Sequence, residues 1–293
     1  MVSSGTSLPG TLWIPKSGNK TILAIFIHGS GPNDRDETLG PNAPFLDIAS
    51  DLLKYGISSY RFDKKTKVAP ELFEGDFTVD DEVTDDIVHI VDHFHENDSF
   101  KSYSLVLIGH SLGGMMLPRI ATLVNGKIDA AVIMAGNARP LQDVALEQFK
   151  YLNTVYPGSP FTEKIRETEA AIEYLNSPEF SKDSPNDKLP LGWSATYWMS
   201  LSEYDQRRVA ERLTLPLLLL QGERDYQVTM TDFKLWKEQL GDNPNCKLIA
   251  YPKLNHLFLE GSGKSTPLEY KTAGDVPGYV TQDIAEWLSS KIY

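Results

Sequence analysis

The middle of the chain reads SLVLIGHSLG over residues 104–113, and the fold can be worked out from this stretch. Residues 104–109 form an apolar run typical of a strand buried on both faces, and residues 112–124 have the pattern of a helix that follows it. Between them, residues 109–113 fit the pattern G-x-S-x-G. A serine on such a sharp strand-to-helix turn takes strained backbone angles and exposes its hydroxyl group. Ser111 is therefore the candidate nucleophile.

Strand and helix patterns alternate along much of the chain. Further strand patterns lie at residues 21–27, 57–62, 130–135, 215–221 and 246–251, and further helix patterns lie at residues 45–55, 83–94 and 280–289. Alternation of this kind is typical of a mainly parallel sheet with helices on both faces. The sequence therefore predicts an α/β protein with one doubly wound sheet.

One part of the chain breaks this alternation. From about residue 137 helix patterns follow one another without a strand, and the second of them opens at Ser159-Pro160 with a capping residue and a proline at the first helical position. We interpret residues 137–213 as a helical cap inserted between two parts of an α/β core, residues 1–136 and 214–293. Aromatic residues cluster late in this cap: Trp193, Tyr197, Trp198 and Tyr204. The first three are candidates for lining a substrate pocket.

Composition excludes several classes of protein. The 293 residues include 28 basic and 40 acidic ones, a net charge of −12, which disfavours binding to nucleic acids and to anionic membrane surfaces. The single cysteine, Cys246, excludes a disulfide framework and a cysteine-rich metal site. No metal-ligand spacing and no phosphate-binding glycine loop occurs, so no metal and no cofactor is expected. Without an apolar run of about 18 residues or a signal-peptide pattern, the chain is expected to be cytoplasmic.

A nucleophilic serine needs a general base, and the base needs a carboxylate that orients it. After a G-x-S-x-G turn, the carboxylate and then the histidine are expected on loops that follow later strands. Asp225 follows the strand pattern at residues 215–221, with Glu223 as the competing carboxylate, and His256 follows the last strand pattern. The remaining histidines lie in other turns or on the helix before the nucleophile strand, which is the wrong order for the base.

Two backbone N–H groups are needed to hold the oxyanion of an acyl-transfer intermediate. One is expected at Leu112, directly after the nucleophile. The other is expected in the glycine-rich stretch IHGSGP at residues 27–32, after the first buried strand. Ser30 is our choice for the second donor, and Gly31 is the alternative. His28 and His110 are interpreted as structural supports of these turns.

The whole chain resembles the α/β-hydrolase superfamily. The resemblance rests on four motifs in the right order: His28-Gly29, GHSLG at residues 109–113, GERD at residues 222–225, and Asn255-His256. The segment GSGPNDRD at residues 29–36, with RFDK at residues 61–64, is similar to a bacterial carboxylesterase subgroup that carries a GSGP-x-DRD segment. This similarity implies hydrolysis of small acyl esters beneath a helical cap. Residues 64–67, KKTK, depart from the Arg-Gly pair of the family's D-x-R-G turn.

Several charged residues have less specific interpretations. Asp34, Arg35 and Asp36 either order the oxyanion loop by a salt bridge or touch the substrate. The acidic pairs before and at the start of the helix pattern at residues 83–94 are expected on a solvated face: Asp80, Asp81, Asp85 and Asp86. Cys246 is expected to be a small buried residue.

These features together predict a serine carboxylesterase for short- to medium-chain acyl esters of small molecules, acting through Ser111, His256 and Asp225 without a cofactor. An acyl-CoA thioesterase or acyltransferase would use the same triad and is the nearest alternative. A serine peptidase, a carbon–carbon hydrolase and a non-catalytic binding module on a hydrolase scaffold are further alternatives, because a fold does not fix a reaction.

Overall fold

The computed structural model describes residues 2–3, 5–16, 21–158 and 161–292. Within them, β1 (Val2–Ser3) and β2 (Thr6–Ser7) form a small antiparallel pair. The main sheet has seven strands: β3 (Gly10–Trp13), β4 (Ile22–Ile27), β5 (Ser58–Phe62), β6 (Ser104–His110), β7 (Ala130–Met134), β8 (Leu217–Gly222) and β9 (Cys246–Tyr251). Their spatial order is β3-β5-β4-β6-β7-β8-β9, and all neighbours pair in parallel except β3, which is antiparallel to β5.

Helices cover both faces of this sheet. The α-helices are α1 (Pro44–Lys54), α2 (Lys65–Val68), α3 (Asp85–Glu96), α4 (Leu112–Leu123), α5 (Leu141–Val155), α6 (Phe161–Leu175), α7 (Ala195–Leu201), α8 (Gln206–Glu211), α9 (Met230–Leu240) and α10 (Gly278–Ile292). Apolar residues of α1 and α10 pack on one face of the sheet, and those of α3, α4 and α9 pack on the other. The predicted doubly wound α/β fold is confirmed. Because helices bury the sheet on both faces, its strands β4, β7 and β8 are almost wholly apolar.

The chain between β7 and β8 forms the helices α5, α6, α7 and α8. The predicted start of α6 at Ser159-Pro160 lies outside the described residues, and the helix is described from Phe161 onward. A small cluster of buried side chains, Leu189, Ala195 and Trp198, lies within this segment. None of the helices in the described parts of the chain is both long and apolar enough to cross a membrane.

Several elements have no counterpart in the sequence prediction, among them β3 and α9. Strand β3 lies at the edge of the sheet with alternating half-buried and exposed residues, so it has no continuous apolar run. Helix α9 buries Asp232, Trp236 and Leu240, one residue per turn, and a charged residue among them weakens its apolar face.

The sequence-based interpretations of Asp86 and Cys246 are both wrong. Asp86 does not lie on a solvated face: it is 1% exposed, and its Oδ1 lies 2.7 Å from Lys65 Nζ. Lys65 of α2, which is itself buried, compensates its charge. Cys246 is only half-buried, because it begins the edge strand β9.

Candidate active site

Ser111 lies on the turn between β6 and α4, where it has a φ of 52° and a ψ of −118°. A residue other than glycine holds such angles only when its surroundings fix them. Those surroundings are close backbone contacts: a Cβ atom added to Gly109 would lie 2.6 Å from the carbonyl oxygen of Gly113, and one added to Gly113 would lie 2.4 Å from that of Ile27. The glycines of the motif therefore allow strand and helix to pack closely enough for this turn.

Asp225 and His256 come together from loops after β8 and β9. His256 Nδ1 lies 2.7 Å from Asp225 Oδ2, and both residues are buried. An ionised carboxylate can only accept hydrogen bonds, so Nδ1 carries the proton and Nε2 is left as an acceptor. The competing carboxylate, Glu223, is exposed on the turn before Asp225.

The Asp225 carboxylate is itself held by its own loop. Its Oδ1 accepts hydrogen bonds from the backbone N–H groups of Gln227, at 2.7 Å, and Val228, at 3.0 Å. Its Oδ2 accepts a further hydrogen bond from Gln221 Nε2 at 3.1 Å, besides the one from His256. The direction in which Asp225 presents Oδ2 to the imidazole is therefore fixed by three other donors.

Ser111 and His256 line one cavity of about 180 Å³, together with Ser30 and Gly29. Gly29 lies directly beside the nucleophile, since a Cβ atom added to it would lie 3.1 Å from Ser111 Cβ. Within the described residues, the Ser111 hydroxyl has no hydrogen bond to His256. Such bonds are often formed only when a substrate binds. The structure therefore brings the three residues to one site without a hydrogen bond between Ser111 and His256.

The N–H groups of Ser30 and Leu112 are without a hydrogen-bond partner in the described part of the chain. Leu112 is the first residue of α4, where a helix has unpaired N–H groups. The N–H of Gly31, by contrast, donates to Glu82 Oε1 at 3.2 Å. Of the two alternatives for the second oxyanion donor, the geometry leaves Ser30 available and Gly31 occupied.

Salt bridges order the segment that follows this loop. Arg35 Nη2 lies 2.8 Å from Asp63 Oδ2, and Asp36 pairs with Arg61. Arg61 is 1% exposed and stacks over the ring of Trp13 at 4.4 Å. Of the two interpretations of residues 34–36, these contacts favour the structural one.

Glu37 is a site residue that the sequence analysis missed. It is 5% exposed with a φ of 53°, and its Oε1 accepts a hydrogen bond from the N–H of Gly29 at 2.6 Å. Its Oε2 lies 2.9 Å from His110 Nδ1. Burial raises the pKa of Glu37, but the neighbouring imidazole of His110 outweighs that effect and the pKa is lowered. Burial likewise lowers the pKa of His110, and the Glu37 carboxylate outweighs it, so the pKa of His110 is raised.

The environment of His28 lowers the pKa of its imidazole, whereas that of His110 raises it. Its ring is buried between the rings of Phe45, at 5.3 Å, and Phe62, at 4.9 Å. Burial lowers the pKa of His28 to about 4, against weaker opposing effects of nearby carboxylates. A neutral imidazole among aromatic rings is consistent with the predicted supporting role.

Lys64 and Glu82 are two further buried residues that the sequence analysis did not place at the site. Lys64 Nζ lies 2.6 Å from Glu82 Oε1 and donates to the carbonyl oxygen of Gly29 at 2.8 Å. Lys64 is the last residue of the RFDK segment at residues 61–64, and this part of the family resemblance is the only signal in the sequence that includes it.

The structure does not bring the three candidate pocket aromatics to the cavity at Ser111. Tyr197 is buried and donates its hydroxyl proton to Glu82 Oε2 at 2.9 Å. Trp198 lines a separate cavity of about 260 Å³ with Met115, and its Nε1 donates to the carbonyl oxygen of Pro190 at 3.2 Å. Trp193 stacks on Trp198, with ring centroids 5.8 Å apart. These side chains hold the segment after α6 together.

Comparison with known proteins gives one close relative in sequence. The chain is 41% identical over 285 residues to the esterase EstD of Thermotoga maritima, an alignment that covers 96% of this chain and 65% of that protein. The chain thus spans just under two thirds of the length of that curated relative.

Solved structures of low sequence identity share the fold. Est1E from Butyrivibrio proteoclasticus with bound ferulic acid matches with a TM-score of 0.63 and 19% identity, covering 99% of this chain and 98% of that one. The monoacylglycerol lipase of Paleococcus ferrophilus matches with a TM-score of 0.54 and 20% identity, covering 98% of this chain and all of that one. Both support the α/β-hydrolase fold.

The family model described as serine aminopeptidase S33 matches residues 43–262. Since this match spans about three quarters of the chain, the protein belongs to the serine aminopeptidase S33 family of α/β-hydrolases.

Proposed function

We propose that the protein is a carboxylesterase that hydrolyses short- to medium-chain acyl esters of small molecules. The observation that carries this proposal is the buried His256–Asp225 pair, at 2.7 Å, on the same small cavity as the strained Ser111. The similarity to the esterase EstD of Thermotoga maritima supports the same reaction.

In the acylation step, Ser111 Oγ attacks the ester carbonyl carbon while its proton passes to His256 Nε2. The carbonyl oxygen becomes an oxyanion, which the N–H groups of Ser30 and Leu112 stabilise by hydrogen bonds. The bond to the alcohol oxygen then breaks, and His256 gives its proton to the leaving alcohol. Asp225 keeps the imidazole in the productive tautomer and stabilises its charged form.

In the deacylation step, a water molecule takes the place of the alcohol. His256 removes one proton from the water as its oxygen attacks the acyl carbon, and a second oxyanion forms at the same two N–H groups. The bond to Ser111 Oγ breaks, and the proton on His256 returns to the serine. The products are the carboxylic acid and the regenerated enzyme.

The cavity favours small esters over the other substrates of this chemistry. Its volume of about 180 Å³ is below the roughly 300–1,000 Å³ of pockets that hold drug-sized ligands. This volume favours a small acyl group at Ser111 over a bulky one.

An aminopeptidase, the activity named in the description of the family model, would need a free acidic group for the ammonium of its substrate. Glu37 is the acidic residue among the described lining residues of this cavity. Its Oε1 already accepts the hydrogen bond of Gly29, and its Oε2 faces His110. With both oxygens engaged, Glu37 does not provide that group.

The proposal is tested by a panel of substrates assayed with one enzyme preparation. The panel contains p-nitrophenyl acetate and butyrate, acetyl- and butyryl-coenzyme A, and aminoacyl p-nitroanilides. We expect the highest kcat/KM for the p-nitrophenyl esters. A higher kcat/KM for an acyl-coenzyme A or for an aminoacyl anilide, after correction for the different leaving groups, would replace the esterase with that activity.

A further inference from the structure

The peptide unit between Gly29 and Ser30 decides where the second oxyanion donor points. A trans peptide unit is planar, with its C=O and N–H groups on opposite sides. Whatever holds the carbonyl group of Gly29 therefore also sets the direction of the N–H of Ser30. Lys64 Nζ donates to this carbonyl oxygen at 2.8 Å, and Asn33 Nδ2 donates to it at 3.1 Å.

The ammonium group of Lys64 has a fixed position of its own. Lys64 is 2% exposed and Glu82 is 5% exposed, with Lys64 Nζ 2.6 Å from Glu82 Oε1. Oε1 also accepts the hydrogen bond from the N–H of Gly31, and Oε2 accepts the one from the hydroxyl of Tyr197 in α7. Within the described residues, the polar contacts of the Glu82 carboxylate thus lie on the oxyanion loop, on Lys64 and on the segment after α6.

A buried ion pair of this kind is weak evidence for added stability, because the cost of removing two charges from water offsets their attraction. What the pair does provide is geometry. Glycines at positions 29 and 31 leave the loop many backbone conformations, and the pair holds a carbonyl at one position and an N–H at the other.

We propose that Lys64, held by Glu82, is a positioning residue that keeps the Gly29–Ser30 peptide in the orientation in which the N–H of Ser30 faces the oxyanion. This inference rests on the proposed function, since an oxyanion forms only if Ser111 attacks a carbonyl group. Lys64 is not among the described lining residues of the cavity at Ser111, so it acts through the peptide and does not touch the substrate.

The chain offers a matched control in the next residue. Lys65 is 5% exposed and also pairs with a buried carboxylate, Asp86, at 2.7 Å. Among the described contacts, Lys65 Nζ has no hydrogen bond to the oxyanion loop. Lys64→Met and Lys65→Met therefore remove the same charge from adjacent buried sites, and only the first releases the Gly29 carbonyl.

The test compares these variants with the wild type by two measurements. The first is kcat and KM for p-nitrophenyl butyrate, per active site titrated with a fluorophosphonate. The second is the inhibition constant of a trifluoromethyl ketone, to whose carbonyl carbon Ser111 Oγ adds while its proton moves to His256, which leaves an oxyanion in the site. Loss of one oxyanion donor costs about 100- to 1,000-fold in kcat, and misorientation of the donor should approach that loss.

For Lys64→Met we expect kcat to fall by about 10- to 1,000-fold, with a much smaller change in KM. The inhibition constant should rise by the same factor as kcat falls, because both depend on the oxyanion. Lys65→Met should keep both values near those of the wild type. A purely structural role would lower the number of titratable sites and leave both values per site unchanged, which would overturn the inference.

If Lys64→Met does not fold, Asn33→Ala removes the other side-chain donor to the same carbonyl oxygen. Because Asn33 also lines the cavity, its loss must appear in kcat with little change in KM. A parallel loss in kcat and in inhibitor affinity is expected, and unchanged values would contradict the positioning of this peptide. A wild-type enzyme without esterase activity would instead show that the proposed function has failed. An equal loss of kcat in the Lys64 and Lys65 variants would mean that activity depends on the buried charge and not on the orientation of the Gly29–Ser30 peptide, which would overturn the inference.

Discussion

His110 Nδ1 lies 2.9 Å from Glu37 Oε2, and His110 Nε2 lies 2.9 Å from the carbonyl oxygen of His256. Glu37 Oε1 accepts the hydrogen bond of the Gly29 N–H. This one ion pair thereby contacts the oxyanion loop, the nucleophile turn and the loop of the general base. It explains how three sequence-distant loops keep a common geometry around a small cavity.

The first prediction concerns the pH dependence of stability. The pKa of His110 is raised from its usual 6.5, and that of Glu37 is lowered from 4.5, so folding favours the charged form of each group. The His110 contribution is fully present below its unfolded pKa and is lost as the pH rises through its folded pKa. The Glu37 contribution is present above its unfolded pKa and is lost as the pH falls through its folded pKa.

Glu37→Gln removes the partner of the imidazolium. We expect the difference in free energy of unfolding between the wild type and Glu37→Gln to be larger at about pH 6 than at about pH 9, since the contribution of the raised His110 pKa is lost as the pH rises. Urea titrations at the two pH values measure this difference. A difference that does not change with pH would mean that His110 is neutral in the folded protein.

The second prediction separates the two carboxylates near the end of β8. Asp225→Asn keeps an oxygen for the N–H groups of Gln227 and Val228 but turns an amide N–H₂ group toward His256. The imidazole then has no acceptor for its Nδ1 proton, so we expect kcat to fall by about 10⁴-fold. Assays with p-nitrophenyl butyrate measure the loss, with circular dichroism as the check on folding.

Glu223→Gln is the matched control, because Glu223 is the exposed carboxylate two residues earlier. It should retain the activity of the wild type. If Glu223→Gln were the inactive variant and Asp225→Asn the active one, the assignment of the orienting carboxylate would be reversed.

The third prediction concerns acyl chain length. In a cavity of about 180 Å³, each added methylene that fits contributes about 0.8 kcal/mol, and one that overfills the cavity costs about 1–3 kcal/mol. The kcat/KM for p-nitrophenyl esters should therefore rise from acetate and reach its maximum no later than hexanoate. Assays with acyl chains from two to sixteen carbons measure the profile, and a preference for twelve carbons or more would contradict it.

Trp198→Ala tests which cavity sets that profile. Because Trp198 lines the cavity near Met115 and not the one at Ser111, we expect a loss of stability of about 3–5 kcal/mol with the order of ester preference unchanged. A folded variant that shifts its preference to longer chains would show that the two cavities act as one acyl site.

The parts of this site that the sequence predicts are those with a local signal. Ser111, Asp225 and His256 each follow an apolar run that ends at the same edge of a parallel sheet, so their order along the chain is enough to bring them together. Ser30 was chosen over Gly31 without such a signal. The distinction between them depends on Glu82, 51 residues from Gly31.

The parts that the sequence did not predict depend on contacts between distant segments. Glu37 has no periodic neighbours or motif that separates it from surface charges, and the RFDK segment that contains Lys64 does not show that this lysine is buried beside the oxyanion loop. Asp86 was assigned to solvent because carboxylates suit the first turn of a helix, but Lys65 of α2 covers it. Charged residues that are buried in pairs are therefore the features that sequence patterns misread here.

The central claim is that Ser111 is the nucleophile of an esterase, and the turnover of Ser111→Ala on p-nitrophenyl butyrate tests it most directly. Alanine removes the oxygen that forms the acyl-enzyme and keeps the Cβ atom that packs against Gly29. We expect the variant to fold like the wild type and to lose about 10⁴- to 10⁶-fold in kcat. A folded Ser111→Ala variant with kcat near that of the wild type would contradict the account.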